Sequence, residues 1–131
     1  MRKLTATLCL MVAVLFVSPV QAETVLYCQV ELATGLKKEN GSWRTVVFAK
    51  GRYTIKFNHD YSFVRGFRQP MECRRVYDHL KPSLFVCSNK EEIVYFDKIS
   101  KRFTHAELSS GGYTFDQNDT EQIEAGTCQK F

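Results

Sequence analysis

The sequence predicts an all-β fold: a small antiparallel meander, closed as a barrel or packed as a sandwich, of about seven to nine strands, stapled by disulfides and with at most one short helix. Three observations predict it. Apolar residues recur in short alternating runs rather than at helical spacing. Turn-forming residues interrupt those runs about every ten positions, the punctuation of sandwiches and small barrels. Cys28, Cys73, Cys87 and Cys128 are spread along a chain small enough for covalent staples to add useful stability.

Residues 1–22 stand apart from this pattern. Arg2 and Lys3 form a positive head, Leu4 to Val17 is an apolar run of 14 residues, and Val20-Gln21-Ala22 is a small-residue cleavage site. Together they read as a secretory signal peptide. The run is short of the roughly 20 residues that a helix needs to cross a bilayer, so no membrane span is expected. Lipid attachment is not expected either, because Leu8 and Tyr27, rather than small residues, precede Cys9 and Cys28. Cleavage near Ala22 leaves residues 23–131, one secreted β domain of 109 residues, in the periplasm or outside the cell.

The predicted strands follow in order: Val25 to Glu31, Trp43 to Ala49, Arg52 to Asn58, Ser62 to Phe67, Leu84 to Ser88, Ile93 to Phe96, Arg102 to Leu108, Tyr113 to Phe115 and Gln122 to Ala125. The third shows the logic most plainly. Tyr53, Ile55 and Phe57 fall on one face and Arg52, Thr54 and Lys56 on the other, as a half-buried strand requires. Asn40-Gly41, Lys50-Gly51, Asn58-His59-Asp60, Ser88-Asn89-Lys90 and Gly111-Gly112 supply turns between them. One helical turn is expected over Glu72 to Leu80, where Cys73, Val76, Tyr77 and Leu80 share a face before Pro82 blocks continuation.

Export makes the four remaining cysteines a disulfide set. Four cysteines allow three pairings, among which spacing does not choose. The pairing expected is Cys28 with Cys128, tying the chain ends, and Cys73 with Cys87, closing a short loop. A zinc site would need closely spaced cysteines or a His beside one, and neither is present. No metal and no cofactor are expected.

The formal charge of +4 falls to +2 once Arg2 and Lys3 are removed. Its distribution is uneven: Lys37 to Arg75 carries a local +7, and Val76 to Phe131 a local −3. A basic half can attract an acidic protein or an anionic envelope component, with Arg65, Arg68, Arg74 and Arg75 the residues expected to make contact. The bland alternative is that these charges are the wet faces of strands. Export and the lack of any nucleic-acid-binding motif argue against nucleic acid as a partner. Oligomeric state stays open.

Catalytic signals are sparse. His59, His79 and His105 are dispersed, and neighbours such as His59-Asp60 and Asp78-His79 point to opposite faces of a strand. His105 and Glu107 would share a face, yet exposed strand or turn histidines are the expectation. Ser109-Ser110-Gly111-Gly112 reads as a hairpin turn, since it lacks a nucleophile elbow or phosphate-binding lysine. Paired cysteines offer no thiolate. The chain is therefore expected not to be an enzyme. Its aromatics alternate into the core, and Trp43 is expected to close the barrel end rather than to anchor an interface.

The succession Tyr27-Cys28, Ala33-Thr34-Gly35, Asn40-Gly41-Ser42-Trp43, Phe85-Val86-Cys87, Phe96-Asp97-Lys98 with Arg102-Phe103, and Gly126-Thr127-Cys128 resembles a group of small uncharacterised exported proteins of proteobacteria. That resemblance implies the compartment and the fold and supplies no activity. Gly41-Ser42-Trp43 also looks like the Gly-any-Trp signature of lipocalins, without the downstream motifs. Ser110-Gly111-Gly112-Tyr113 is similar to the Ser-Gly loop of small periplasmic lysozyme inhibitors, but its Tyr is one position early and no Lys-Gly element follows. The function expected is a small exported binding or inhibitor-type module acting on a protein or envelope component. The alternative is a lipocalin-like carrier of a small apolar ligand, which requires an interior cavity.

Overall fold

A computed structural model describes residues 22–108 and 120–130. Among them lie nine strands: β1 (Thr24–Glu39), β2 (Ser42–Val47), β3 (Arg52–Phe57), β4 (Phe63–Arg65), β5 (Met71–Tyr77), β6 (Lys81–Ser88), β7 (Glu92–Asp97), β8 (Arg102–Leu108) and β9 (Thr120–Lys130). Each pairs antiparallel with its neighbour in the order β2-β1-β3-β4-β5-β6-β7-β8-β9, and β9 returns to pair with β1. That last ladder closes β1 and β3 through β9 into an eight-stranded up-and-down barrel, leaving β2 as a flap beside the far half of β1. An eight-stranded barrel has an interior just wide enough for its own side chains to fill.

The sequence accounts for the entry to this barrel. Asn40 and Gly41 both have positive φ, 50° and 80°, which makes the two-residue turn that joins twisted strands without splaying them. From that turn β2 and β3 run down one side of β1 in a single register, Glu39 facing Ser42 and Thr24 facing Phe57. They are separated at 48–51, where Phe48 N still donates to Ala33 O and Val30 N to Gly51 O, each at 3.0 Å. On its other side β1 meets β9 across most of its length, with a bulge between Val30 and Leu32. The seam is tight. A Cβ at Gly35 would lie 1.9 Å from Glu121 O, and one at Gly126 would lie 2.0 Å from Gln29 O, so only glycine lets the two backbones approach this closely.

Both expected disulfides form, Cys28–Cys128 and Cys73–Cys87. Each joins residues directly opposite in neighbouring strands, β1 with β9 and β5 with β6. The first therefore clamps the barrel where its first and last strands meet.

Inside the barrel, Leu26, Ile55, Phe57, Val64, Met71, Val94 and Phe96 are fully or almost fully buried. Phe57 packs on Phe96 and on Tyr61 at 4.9 Å between ring centroids, and Tyr61 stacks on Phe85 at 5.3 Å. These residues fill the end of the barrel at which β1 starts and β3 stops. At the same end Asp97 fastens the β7–β8 turn by accepting a hydrogen bond from Ile99 N at 3.0 Å and pairing with Lys81 at 3.2 Å. Burial pushes its carboxyl up, but hydrogen bonds from Ile99, Ser83, Lys81 and Ser100 outweigh burial and hold it well below the usual carboxylate range.

Two expectations are corrected here. Glu72 to Leu80 is not a helical turn: Met71–Tyr77 is strand β5 and Asp78-His79-Leu80 is the turn into β6. The apparent helical face is not buried, since Tyr77 is 51% and Leu80 88% exposed. Ladder pairing with β6 and the Cys73–Cys87 bond instead select the extended backbone, in which Cys73 points toward Cys87. Trp43 does not close the barrel end. It faces Lys38 across the β1–β2 ladder and lines a surface cleft, with the Lys38 ammonium 5.7 Å above its ring. The expected strand Tyr113 to Phe115 and the Ser109–Gly112 turn lie outside the described residues.

Candidate functional site

The end of the barrel opposite the aromatic cluster is polar inside. Alternation along β7 puts Glu92 on the same face as Val94 and Phe96; along β8 it puts His105 with Phe103, and along β9 it puts Glu124 with Gly126 and Cys128. Register then brings them together, because His105 pairs with Val94 on one side and with Glu124 on the other. Glu92, His105 and Glu124 are each only 3% exposed.

The geometry is that of a closed network. His105 Nε2 lies 3.2 Å from Glu92 Oε1, and Nδ1 lies 3.1 Å from Glu124 Oε2. Each ring nitrogen thus has one carboxylate oxygen within hydrogen-bond reach. Glu92 also accepts from Arg68 N at 3.2 Å, Gln69 N at 3.0 Å and Asn89 Nδ2 at 2.9 Å, so it ties the 66–70 loop and the β6–β7 turn to the barrel. Glu124 accepts from Tyr53 OH and Gln122 Nε2, each at 2.5 Å. Burial, and then the hydrogen bond to Glu124, hold the Tyr53 phenol far above its usual range. Phe67 closes on the imidazole at 4.9 Å and Tyr53 meets it edge-on at 5.8 Å.

Of the residue pairs considered from sequence, His105 with Glu107 does not form a dyad. Glu107 turns to Arg68 in an exposed ion pair, and His105 takes Glu92 and Glu124 instead. His105 is also not the exposed strand histidine expected, whereas His59 and His79 are exposed. Glu92 and Glu124 are not among the residues that the sequence singles out. The signal that finds them is a charged residue at an inward position of a strand whose other inward positions are apolar or glycine. Each ring nitrogen of His105 already has a carboxylate partner, and among the described residues no group of three or more His, Cys, Asp or Glu has the arrangement of a metal site.

The four arginines have different surroundings. Arg65 pairs with Glu23, and Arg68 pairs with Glu107 at the polar end of the barrel. Arg74 and Arg75 are exposed along β5.

The outer wall carries a second feature. Leu36 on β1, Trp43 on β2, Leu108 on β8 and Ile123 on β9 line an apolar cleft of about 550 Å³ together with Gly35 and Glu121. Leu36, Leu108 and Ile123 are each about half exposed. They occupy the outward positions next to inward Gly35, Glu107 and Glu124. Among the described residues no helix is long and apolar enough to cross a membrane. No family model, curated protein or solved structure matches this chain.

Proposed function

We propose that the chain, once residues 1–22 are removed on export, is a rigid binding module that meets a protein or envelope component through its outer surface. The observation that carries this reading is the filling of the barrel. Leu26, Ile55, Phe57, Met71 and Phe96 occupy one end, and Tyr53, Glu92, His105 and Glu124 occupy the other, bonded to one another. Such an interior weighs against a chamber for a small apolar ligand. It also weighs against catalysis by His105, whose two nitrogens are already engaged. The surface keeps chemistry to offer: exposed Arg74 and Arg75, and Arg65 and Arg68 in exposed ion pairs that cost little to exchange for a partner's carboxylates.

The experiment is affinity capture from an envelope extract with the purified exported chain, alongside the variant carrying Arg65→Glu, Arg68→Glu, Arg74→Glu and Arg75→Glu. A component retained by the parent chain and lost by the variant is the expected result. Equal retention removes the arginines from the role, and no retained component at low salt overturns the binding reading. Intact mass of the same material tests the export step, with Glu23 expected as the first residue.

A further inference from the structure

Among the described residues, β2 has β1 as its one strand partner. The direction of its backbone groups follows from two bonds. Phe48 N donates to Ala33 O, and Val46 O accepts from Thr34 Oγ1, both at 3.0 Å. Residues 48 and 46 therefore face β1, and so, by the alternation of an antiparallel ladder, do 44 and 42. The N–H and C=O groups of Trp43, Thr45 and Val47 then point off the open edge.

Natural edge strands are usually protected by a proline, a bulge, an inward charge or several lysines. β2 reads Ser-Trp-Arg-Thr-Val-Val and keeps one register throughout. Its single charge, Arg44, is engaged by Glu39 of β1. Val47 is 86% exposed at its end.

We propose that β2 pairs edge to edge, antiparallel, with β2 of a second copy about a two-fold axis through Thr45. Only outward-facing residues can exchange ladder bonds across this edge, and a two-fold centred on Thr45 matches them all: Thr45 with Thr45, and Trp43 with Val47 in both directions. Thr–Thr and aromatic–β-branched pairs are favourable cross-strand neighbours. Arg44 meets Val46 of the second copy, so like charges are not placed opposite each other. An isologous contact puts the same patch on both copies, and here it is the side-chain pairs Thr45 with Thr45 and Trp43 with Val47 that favour it. Trp43 is also a wall of the apolar cleft with Leu36, so the cleft runs up to the joint and extends the apolar contact beyond the strand.

A single-strand joint is small compared with a standard interface, so the dimer is concentration-dependent rather than obligate. Sedimentation of the purified exported chain across a concentration series tests it, with reversible dimerisation expected well below about 1 mM. Thr45→Pro removes an N–H that points off the edge and leaves the β1 ladder intact. It is expected to weaken association at least about tenfold. Val47→Lys, a change at an exposed side chain, should do the same even if the proline variant folds poorly. A chain that stays monomeric throughout overturns the proposal, as does a dimer that survives both substitutions. A monomer that instead binds an extended peptide along β2 replaces the second copy with a foreign strand. None of these outcomes bears on the arginine contacts, which lie on β4, β5 and the loop between them.

Discussion

His105 shows how one side chain is fixed by residues far from it in sequence. Glu92 is 13 positions away and Glu124 is 19, and Tyr53, which donates to Glu124, lies 71 positions before it on β3. Two carboxylates this buried are tolerated because an imidazole lies between them and backbone N–H groups and amides complete their shells. His105→Ala would leave both facing an empty space, and leaving buried acceptors without their partner costs about 1–3 kcal/mol. Urea unfolding is expected to show a loss of that size. A loss below about 1 kcal/mol would mean that the three groups are held independently.

At the scale of the element, the β1–β9 seam makes the barrel. Most strands are joined by short turns, so their pairing is local, but β1 and β9 meet only when the whole chain has come round. Gly126 sits at a close approach in this seam, with Gln29 O and the Phe103 ring against the space a Cβ would take. Gly126→Ala is expected to force the seam apart and cost about 3 kcal/mol, the upper end of overpacking. That corresponds to a drop of more than about 10 °C in melting temperature for a domain of this size. The same change at Gly41 is expected to act differently. Its Cβ would meet nothing within 4 Å, so the cost there comes from its φ of 80° alone.

Across the whole molecule the disulfides differ in reach. Cys28–Cys128 closes a separation of 100 residues and Cys73–Cys87 one of 14. Loop-closure entropy makes the long link worth about 4.7 kcal/mol and the short one about 3 kcal/mol. Replacing each pair by serines should therefore destabilise the chain in that order in chemical denaturation. The reverse order would show that local packing around Cys73 and Cys87 outweighs chain entropy. The basic front half and mildly acidic back half of the sequence lie on β1 to β5 and on β6 to β9, which follow one another around the barrel wall, and Arg68 pairs with Glu107 between the two halves.

What the sequence by itself determined is local: the β class, the Asn40-Gly41 turn, the inward set Tyr53, Ile55 and Phe57, and the cysteines as a paired set, because alternation and turn chemistry act over a few residues. The tertiary structure decided what depends on register and closure. It chose a barrel over a sandwich by joining β1 to β9, made Glu72 to Leu80 a strand and a turn against its helical spacing, and moved Trp43 to the outer wall. It also brought Glu92, His105, Glu124 and Tyr53 into one interior. Side-chain alternation assigns a face to each of these residues, but only the register of neighbouring strands decides which of them touch.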